Sequence, residues 1–399
     1  MQDAGRAVRL LLGTRRVTVV ELIDETSLPE DVAGGWDDLS LACGRPCATP
    51  HLLLPWLRHM APEAATPRIV VVREGPRIVG VAPFYSVPGP LGVHTLRLLG
   101  TPSLPQRGTI LARPGREPEV TAAAARALGA RWRTGEIRLE RIDASAVWPR
   151  EFAAAWPAYG RARVIESMRV TGPVLSTEAP SFDAWLASRT PHFRLDIRRT
   201  ARRMELAGAR IWLAEDPGDR ELVRVEVARW HGERWGDRSS LWRPPAIAML
   251  QDAARVLDPR RMRLYAVSAR GGIAAAAIHF AAGGEVVAWN AGWDPAYSDL
   301  RPATAIAYRV VQDAFAFGDR RIDWGEGRTL VKERLSDWDE PVAWVSVLPR
   351  NAAYPLIRLF TSPPRLRHRA WTAAQRLPPN TRRRIRSLRS RGRRLRGRS

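Results

Sequence analysis

Lysine is almost missing from this chain. Among its 63 basic residues only Lys332 is a lysine, and all the others are arginines. A bias this complete reflects a GC-rich genome and strips individual arginines of meaning. One lysine that survives it marks a place where arginine does not serve. A compact ammonium can give up its proton or grip a single oxygen, whereas a guanidinium is a permanently charged planar fork. Cysteine is nearly absent too. Cys43 and Cys47 stand in Cys-Gly-Arg-Pro-Cys, too few for a disulfide framework and without the second pair a zinc site needs. The expectation is two reduced thiols and no metal. No stretch reaches the roughly 18–20 apolar residues of a membrane-spanning helix. The apolar run Leu10-Leu11-Leu12 is broken at once by Gly13, Thr14, Arg15 and Arg16, which argues against a signal peptide and for the cytoplasm. Acidic residues are missing from 351–399, a segment with fifteen arginines. It carries most of the formal net charge of +22 and leaves +7 on the body. That split excludes a uniformly basic nucleic-acid binder, and no zinc-finger, RRM or helix-turn-helix pattern is present.

What is present suits two domains. The 399 residues are 45% hydrophobic and 26% charged, a composition with apolar material for two cores. In the first half a β-branched run at 17–23 precedes helices at 28–42 and 50–60. Strands are expected at 68–73, 77–85 and 93–99, a helix at 117–132 and a strand at 136–142. The segment Thr171–Ser181, rich in Pro, Ser and Thr, reads as the boundary. Beyond it Phe193, Ile197, Ala201 and Met204 mark one face of a helix whose other faces carry Arg194, Arg198, Arg199, Arg202 and Arg203. Glycine turns at 270–272 and 282–284 divide a meander, 262–269, 273–281 and 285–292. A helix at 304–317, a strand at 321–324 and a last strand at 342–348 complete it. The expected division is 1–171, 172–349 and a basic tail 350–399. Neither a doubly wound parallel sheet nor a TIM barrel has this element order.

Four segments together resemble a known family. They are Arg68–Pro83 (RIVVVREGPRIVGVAP), Phe193–Glu205 (FRLDIRRTARRME), Trp289–Ala307 (WNAGWDPAYSDLRPATAIA) and the spacing D-x-x-x-G-x-x-x-x-K at Asp323, Gly327 and Lys332. In order and spacing the chain resembles the CelD/BcsL-type acetyltransferases, a bacterial branch of the GNAT superfamily related to FemABX. The resemblance implies mixed α/β architecture in two tandem GNAT-like halves, each a mostly antiparallel sheet flanked by helices. It also places the lone lysine on the family's lysine. Two departures stand out: Arg301-Pro302-Ala303 replaces the usual Ser-Pro-Gly, and Val331 replaces the aromatic residue before the lysine.

The implied activity is N-acyl transfer from acetyl-CoA or another acyl-CoA, without a covalent enzyme intermediate and without metal. Pyrophosphate suits a helix N-terminus, so Arg301, Pro302, Ala303, Thr304 and Ala305 are the expected cradle, with Trp289 and Asn290 on the preceding strand as further cofactor contacts. Asp323 and Glu326 are the candidate bases. Lys332 would bind an anionic acceptor, polarise the carbonyl or pair with Asp323. His279 reads as a buried core residue. The resemblance implies an amino sugar or a cell-envelope or exopolysaccharide precursor as acceptor. Two other classes stay open: a FemABX-like transferase using aminoacyl-tRNA, and a non-catalytic GNAT-like protein binding anionic polymers through its tail. Residues 380–399 hold ten arginines, and the expected partner of this tail is the anionic inner face of a membrane.

Overall fold

The computed structural model describes residues 8–350 except 15, 25–27, 90–92, 106, 132–133, 158–161, 240, 242 and 328. The basic tail therefore lies outside the described residues. Along the first half the chain forms β1 (Val8–Thr14), β2 (Arg16–Ile23), α1 (Glu30–Ala42) and α2 (Pro50–His59). It continues through β3 (Thr66–Glu74), β4 (Arg77–Pro88), β5 (His94–Leu98), the two-residue β6 (Leu111–Ala112), α3 (Glu117–Arg131), β7 (Thr134–Asp143) and α4 (Trp148–Ala155). The strand β8 (Arg163–Ser176) leads to α5 (Phe182–Ser188), α6 (Pro191–Leu206), β9 (Arg210–Leu213), α7 (Pro217–Trp235) and α8 (Pro244–Val256). The meander follows as β10 (Met262–Ala269), β11 (Gly272–Ala282) and β12 (Glu285–Trp293). Last come α9 (Pro302–Phe317), β13 (Arg321–Asp323), α10 (Leu330–Arg334) and β14 (Trp338–Leu348).

All the strands belong to one sheet, in the order β1-β2-β3-β4-β5-β7-β14-β8-β13-β12-β11-β10-β9, with β6 paired to β4. The two halves repeat one plan: an antiparallel meander, a crossover helix, then a parallel pair, β5 with β7 and β12 with β13. They meet through a shared central pair. The final strand β14 inserts between β7 and β8, antiparallel to both, and β8 in turn pairs with β13. The expected boundary at 171/172 thus falls inside a strand. Thr171, Gly172 and Pro173 have loop-like composition, yet Val174 and Leu175 are fully buried and pull the segment into the sheet. Pro173 stands one residue beyond the last rung to β13, Asp323↔Val174, where its missing N–H breaks no bond on that side.

Helices cover both faces. On one face α1 and α2 of the first half and α7 and α8 of the second pack over a single apolar core that includes Trp36, Trp56, Trp230, Leu250 and Phe280. The other face carries two cores, one under α3 and α4 and one under α5, α6 and α9. Polar contacts also tie the halves. Arg261 grips Asp37 with both guanidinium arms, at 2.5 and 2.9 Å. Arg58 and His59 of α2 meet Asp252 of α8 at 2.9 and 2.8 Å. The β11–β12 turn comes so close to α1 that a Cβ on Gly283 would lie 2.0 Å from the Leu41 carbonyl oxygen.

One sheet and one shared core make the halves a single cooperative unit. Ile137→Ala on β7 and Ile322→Ala on β13, both fully buried, should each lower stability by about 2–5 kcal/mol. Calorimetry should show one transition that both variants displace as a whole. Two resolved transitions, each responding to one substitution, would refute this.

Candidate functional site

The parallel pair β12–β13 is short. It runs from Glu285↔Arg321 to Val287↔Asp323, after which β12 continues to Trp293 and the chain leaves β13. Trp324 N–H donates to the Pro173 carbonyl at 3.1 Å and turns the chain toward β8. Among the described residues, no main-chain group bonds the edge of β12 from Ala288 to Trp293 on the β13 side. That edge also bulges. Asn290 lies opposite Ile278 and Ala288 opposite His279, so Trp289 is the extra residue, a local twist that re-aims side chains. The Trp289 indole donates to Ser103 O of the first half at 3.2 Å and stacks obliquely on Phe280.

The first half's equivalent gap is filled. Beyond Arg97↔Arg138 its parallel strands part, but the loop after β5 enters the gap. Leu99 and Leu104 are fully buried there, and Gly108 N–H donates to Arg141 O at 3.0 Å. A Cβ at Gly108 would crowd Leu98 at 2.8 Å and the Glu140 carbonyl oxygen at 3.1 Å.

From that loop Arg107 reaches into the second half. Its Nε donates to Asp323 Oδ2 at 2.8 Å, and its Nη1 lies 2.7 Å from Glu340 Oε2 on β14. Glu340 also takes both arms of Arg321, at 2.9 and 2.8 Å, and Arg321 Nε lies 2.9 Å from Glu285. The other oxygen of Asp323 accepts the Gly325 N–H at 2.9 Å. Both oxygens of Asp323 are thus engaged, and the side chain is buried. The turn it closes puts Gly325 at φ 71° and Gly327 at φ 85°, left-handed values that explain both glycines in the D-x-G-x-G run.

Glu326 and Lys332 lie beside this core of ion pairs. Arg141, itself at a left-handed φ of 59°, places Nε 2.9 Å from Glu326 Oε1. Thr329 caps α10 by accepting the Lys332 N–H at 3.3 Å. The short helix turns the lysine back, so that Nζ donates to Glu326 O at 3.1 Å. An ammonium has three donors, and this is the one bond Nζ makes among the described residues. Burial pushes the Glu326 carboxyl above its ordinary value, with Asp323 adding to it and Arg141 and Lys332 opposing. Burial likewise lowers Lys332, against Asp323 and Glu326. The proton affinities of the two groups thus move toward each other, a perturbation of the kind found at functional sites. Glu285 is pushed up to about 7, again by burial, but it lies at the closed end of β12. His279 is buried edge-on to Tyr265 and Trp324. Burial, then Arg263 and Lys332, hold it down to about 3, so it stays neutral. Cys43 and Cys47 are both free thiols, and no cluster of metal-ligating side chains occurs among the described residues.

The residues expected to cradle phosphate form the start of α9. Pro302, Thr304 and Ala305 are buried, so only main chain can meet a ligand there. Arg301 sits at a left-handed φ of 54°, and its guanidinium is taken by Asp196 of α6 at 2.7 and 3.4 Å. Asp196 also accepts from Tyr308 OH at 3.0 Å and Arg334 at 3.1 Å. Burial would raise this carboxyl, but its bonds to Arg301 and Tyr308 outweigh that and hold it low. Because α10 carries both Arg334 and Lys332, it joins the helix start to the acidic cluster. The structure therefore brings Asp323, Glu326 and Lys332 together, with Trp289 and Asn290 on the neighbouring β12. Arg107, Arg141 and Glu340 were not legible in the sequence; in a chain so rich in arginine, nothing local distinguishes them.

The comparisons fit this geometry. Residues 191–333 match the family model described as an acetyltransferase (GNAT) domain. No curated protein matches the chain. Among solved structures, FemX is 13% identical with a TM-score of 0.53, over 82% of this chain and 92% of that one. The C-terminal domain of a putative lysylphosphatidylglycerol synthetase from Agrobacterium fabrum is 12% identical with a TM-score of 0.52, over 83% and 94%. L-PGS from Bacillus licheniformis is 12% identical with a TM-score of 0.50, over 85% and 98%. At these identities the likeness is one of fold alone, and the match to a GNAT acetyltransferase domain is confined to 191–333 in the second half.

Removing Arg107 would leave Asp323 buried with no paired cation. Arg107→Met should cost about 3–5 kcal/mol in urea unfolding, and adding Asp323→Asn should restore a large part. A single variant within 1 kcal/mol (roughly the median worth of a surface pair) would mean that the ion pair is screened by solvent.

Proposed function

We propose that the second half catalyses acyl transfer from an acyl-CoA to an amine, with Glu326 as general base and Lys332 as the group that handles charge at the reacting carbonyl or acceptor. The observation that carries this reading is the free, bulged edge of β12 ending beside a raised carboxyl and a depressed ammonium. Exposed strand N–H and C=O groups at Ala288–Trp293 suit the amides of a pantetheine arm, which would pair as an added strand. At the start of α9 Pro302 has no N–H and the amides of Arg301, Thr304 and Ala305 donate to the Ser298 and Arg301 carbonyls, which leaves the Ala303 N–H to meet a pyrophosphate oxygen. Arg301 then contributes by holding the helix start against Asp196, and not as a free phosphate ligand.

The chemistry follows from the positions. Glu326 takes a proton from the acceptor ammonium, and the neutral nitrogen attacks the thioester carbon. As the C–N bond forms, the carbonyl oxygen gains charge and the nitrogen becomes cationic; as the intermediate collapses, the C–S bond breaks and the proton that the nitrogen sheds passes to the leaving thiolate. Lys332, with two uncommitted donors, is suited to stabilise the transient oxyanion or an anionic acceptor. Asp323, locked by Arg107, orients the loop and raises Glu326 by charge repulsion. The CelD/BcsL-type resemblance makes an amino sugar or a cell-envelope precursor the leading acceptor. By the same argument the 380–399 tail holds the protein near an anionic membrane face.

Calorimetry with acetyl-CoA tests the donor. Binding that Gly325→Val abolishes supports the reading, because a side chain at that φ is strained and would press on Ala288 O, 3.4 Å from the Cβ position. No heat with acetyl-CoA, together with retention of aminoacyl-tRNA, would move the protein to the FemABX type of donor. The base is tested by the pH profile. Turnover should rise as Glu326 loses its proton, with an acid limb above the 4.5 of an ordinary glutamate. Glu326→Gln should lower kcat by roughly 10²–10⁴ and remove that limb. Lys332→Arg should impair transfer although charge is kept, and wild-type turnover in this variant would take Lys332 out of the site.

A further inference from the structure

Among the described residues, no other element covers the outer face of α6. Its inner face is accounted for: Phe193, Ile197, Thr200 and Met204 are buried, and Asp196 turns toward Arg301 and Arg334. Outside, Leu195, Arg199, Arg202 and Leu206 follow at steps of four, three and four, one stripe along a helix surface. The two leucines are 43% and 75% exposed. Arg198 flanks the stripe and is also exposed.

These arginines differ from the paired ones on other helices. On α7, Arg229 is paired with Glu226 and Glu233; on α9, Arg309 is paired with Asp313. Among the described residues, Arg198, Arg199 and Arg202 meet no carboxylate. The contact between Arg334 and Asp196 brings α10 against α6, and α10 adds Leu330, 74% exposed. Three uncompensated arginines are thus bracketed by three exposed leucines on two adjoining helices.

We propose that this face, the α6 stripe with Leu330, rests on an anionic phospholipid surface. The arginines would sit at headgroup phosphates and the leucines just inside the interface, the arrangement of helices that lie on a membrane. Charge alone would suit a nucleic acid equally. The leucines decide between them, since a phosphodiester backbone leaves them in water, and the stripe has no aromatic side chain on which a base could stack. The face shares α10 with Lys332, so docking would set the candidate site at the membrane interface. That last consequence rests on the acyl-transfer reading; the docking itself does not.

The test uses the full chain with an environment-sensitive fluorophore on Leu206→Cys, and the same label on Val147→Cys, an exposed first-half position, as control. Wild-type protein treated with the label corrects for Cys43 and Cys47. With vesicles containing 30 mol% phosphatidylglycerol (roughly the anionic content at which basic faces bind) the 206 label should brighten at least about twofold and shift to the blue. Neutral phosphatidylcholine vesicles should leave it unchanged, and the 147 label should respond to neither. Arg199→Glu with Arg202→Glu should weaken that response at least about tenfold in lipid concentration. The proposal fails if the anionic vesicles carry the chain down in sedimentation while the 206 label stays unchanged, because binding then belongs to another part, such as 351–399. It fails equally if the charge reversal spares vesicle binding and weakens only the binding of a labelled RNA. Neither readout needs turnover or acyl-CoA, so the acyl-transfer reading can fail without it.

Discussion

The pairing of β8 with β14 is the contact on which the rest of this molecule depends. β8 is the strand that leaves the first half, and β14 returns from the end of the second to lie between it and β7. Each half alone would end in an unpaired edge, which a sheet protein must cover or pair. Here each edge is covered by strand from the other side, and the sheet runs unbroken from β1 to β9. The pairing also builds the candidate site. Glu340 is on β14, opposite Gly172 of β8, Asp323 is at the last rung between β13 and β8, and Arg107 comes from the loop that fills the first half's gap. Arg107 meets a carboxylate 216 residues away because two strands share one register.

That dependence explains what could be read from the residues alone. The meander was legible almost to the residue, because its strands are β-branched or apolar runs bounded by glycine pairs; β10 occupies the expected 262–269. The helices at 50–59 and 117–131 likewise came out within a residue or two of expectation. The end of β8 was misread because Thr171-Gly172-Pro173 has the composition of a loop, and only its partners across the sheet make it strand. The five-residue α10 has no periodicity to detect. In the site, the spacing from Asp323 to Lys332 was informative because a turn and a capped helix lie within ten residues. Arg107 sits 216 residues from Asp323, and no local pattern can announce such a pairing.

Arginine abundance sharpens the point. When nearly every basic residue is arginine, the fold can use them only as permanent cations. It does so in a consistent way: Arg107 and Arg321 pin Asp323 and Glu340 as anions, and Arg301 is pinned by Asp196. Those pairs hold the geometry. The one carboxyl of the loop that is left both partly solvated and raised is Glu326, whose side chain is 27% exposed. The division is physical. Glu340 is gripped by Arg107 and Arg321, and Asp323 by Arg107 and the Gly325 N–H, whereas Glu326 is held by Arg141 at its edge while burial raises its carboxyl.

The same reasoning accounts for the lone lysine. Its Nζ sits against the Glu326 carbonyl in a half-buried niche with Arg141 close enough to lower its proton affinity. A guanidinium there would bring a second planar, permanently charged fork next to Arg141, with its donors splayed beyond the single carbonyl that Nζ meets. It would also stay fully protonated where burial now moves the ammonium toward neutrality. An ammonium can point one donor at the loop and two outward, and it can yield its proton when the charge around Glu326 changes. An ammonium thus suits the shape and the charge of this niche better than a guanidinium would.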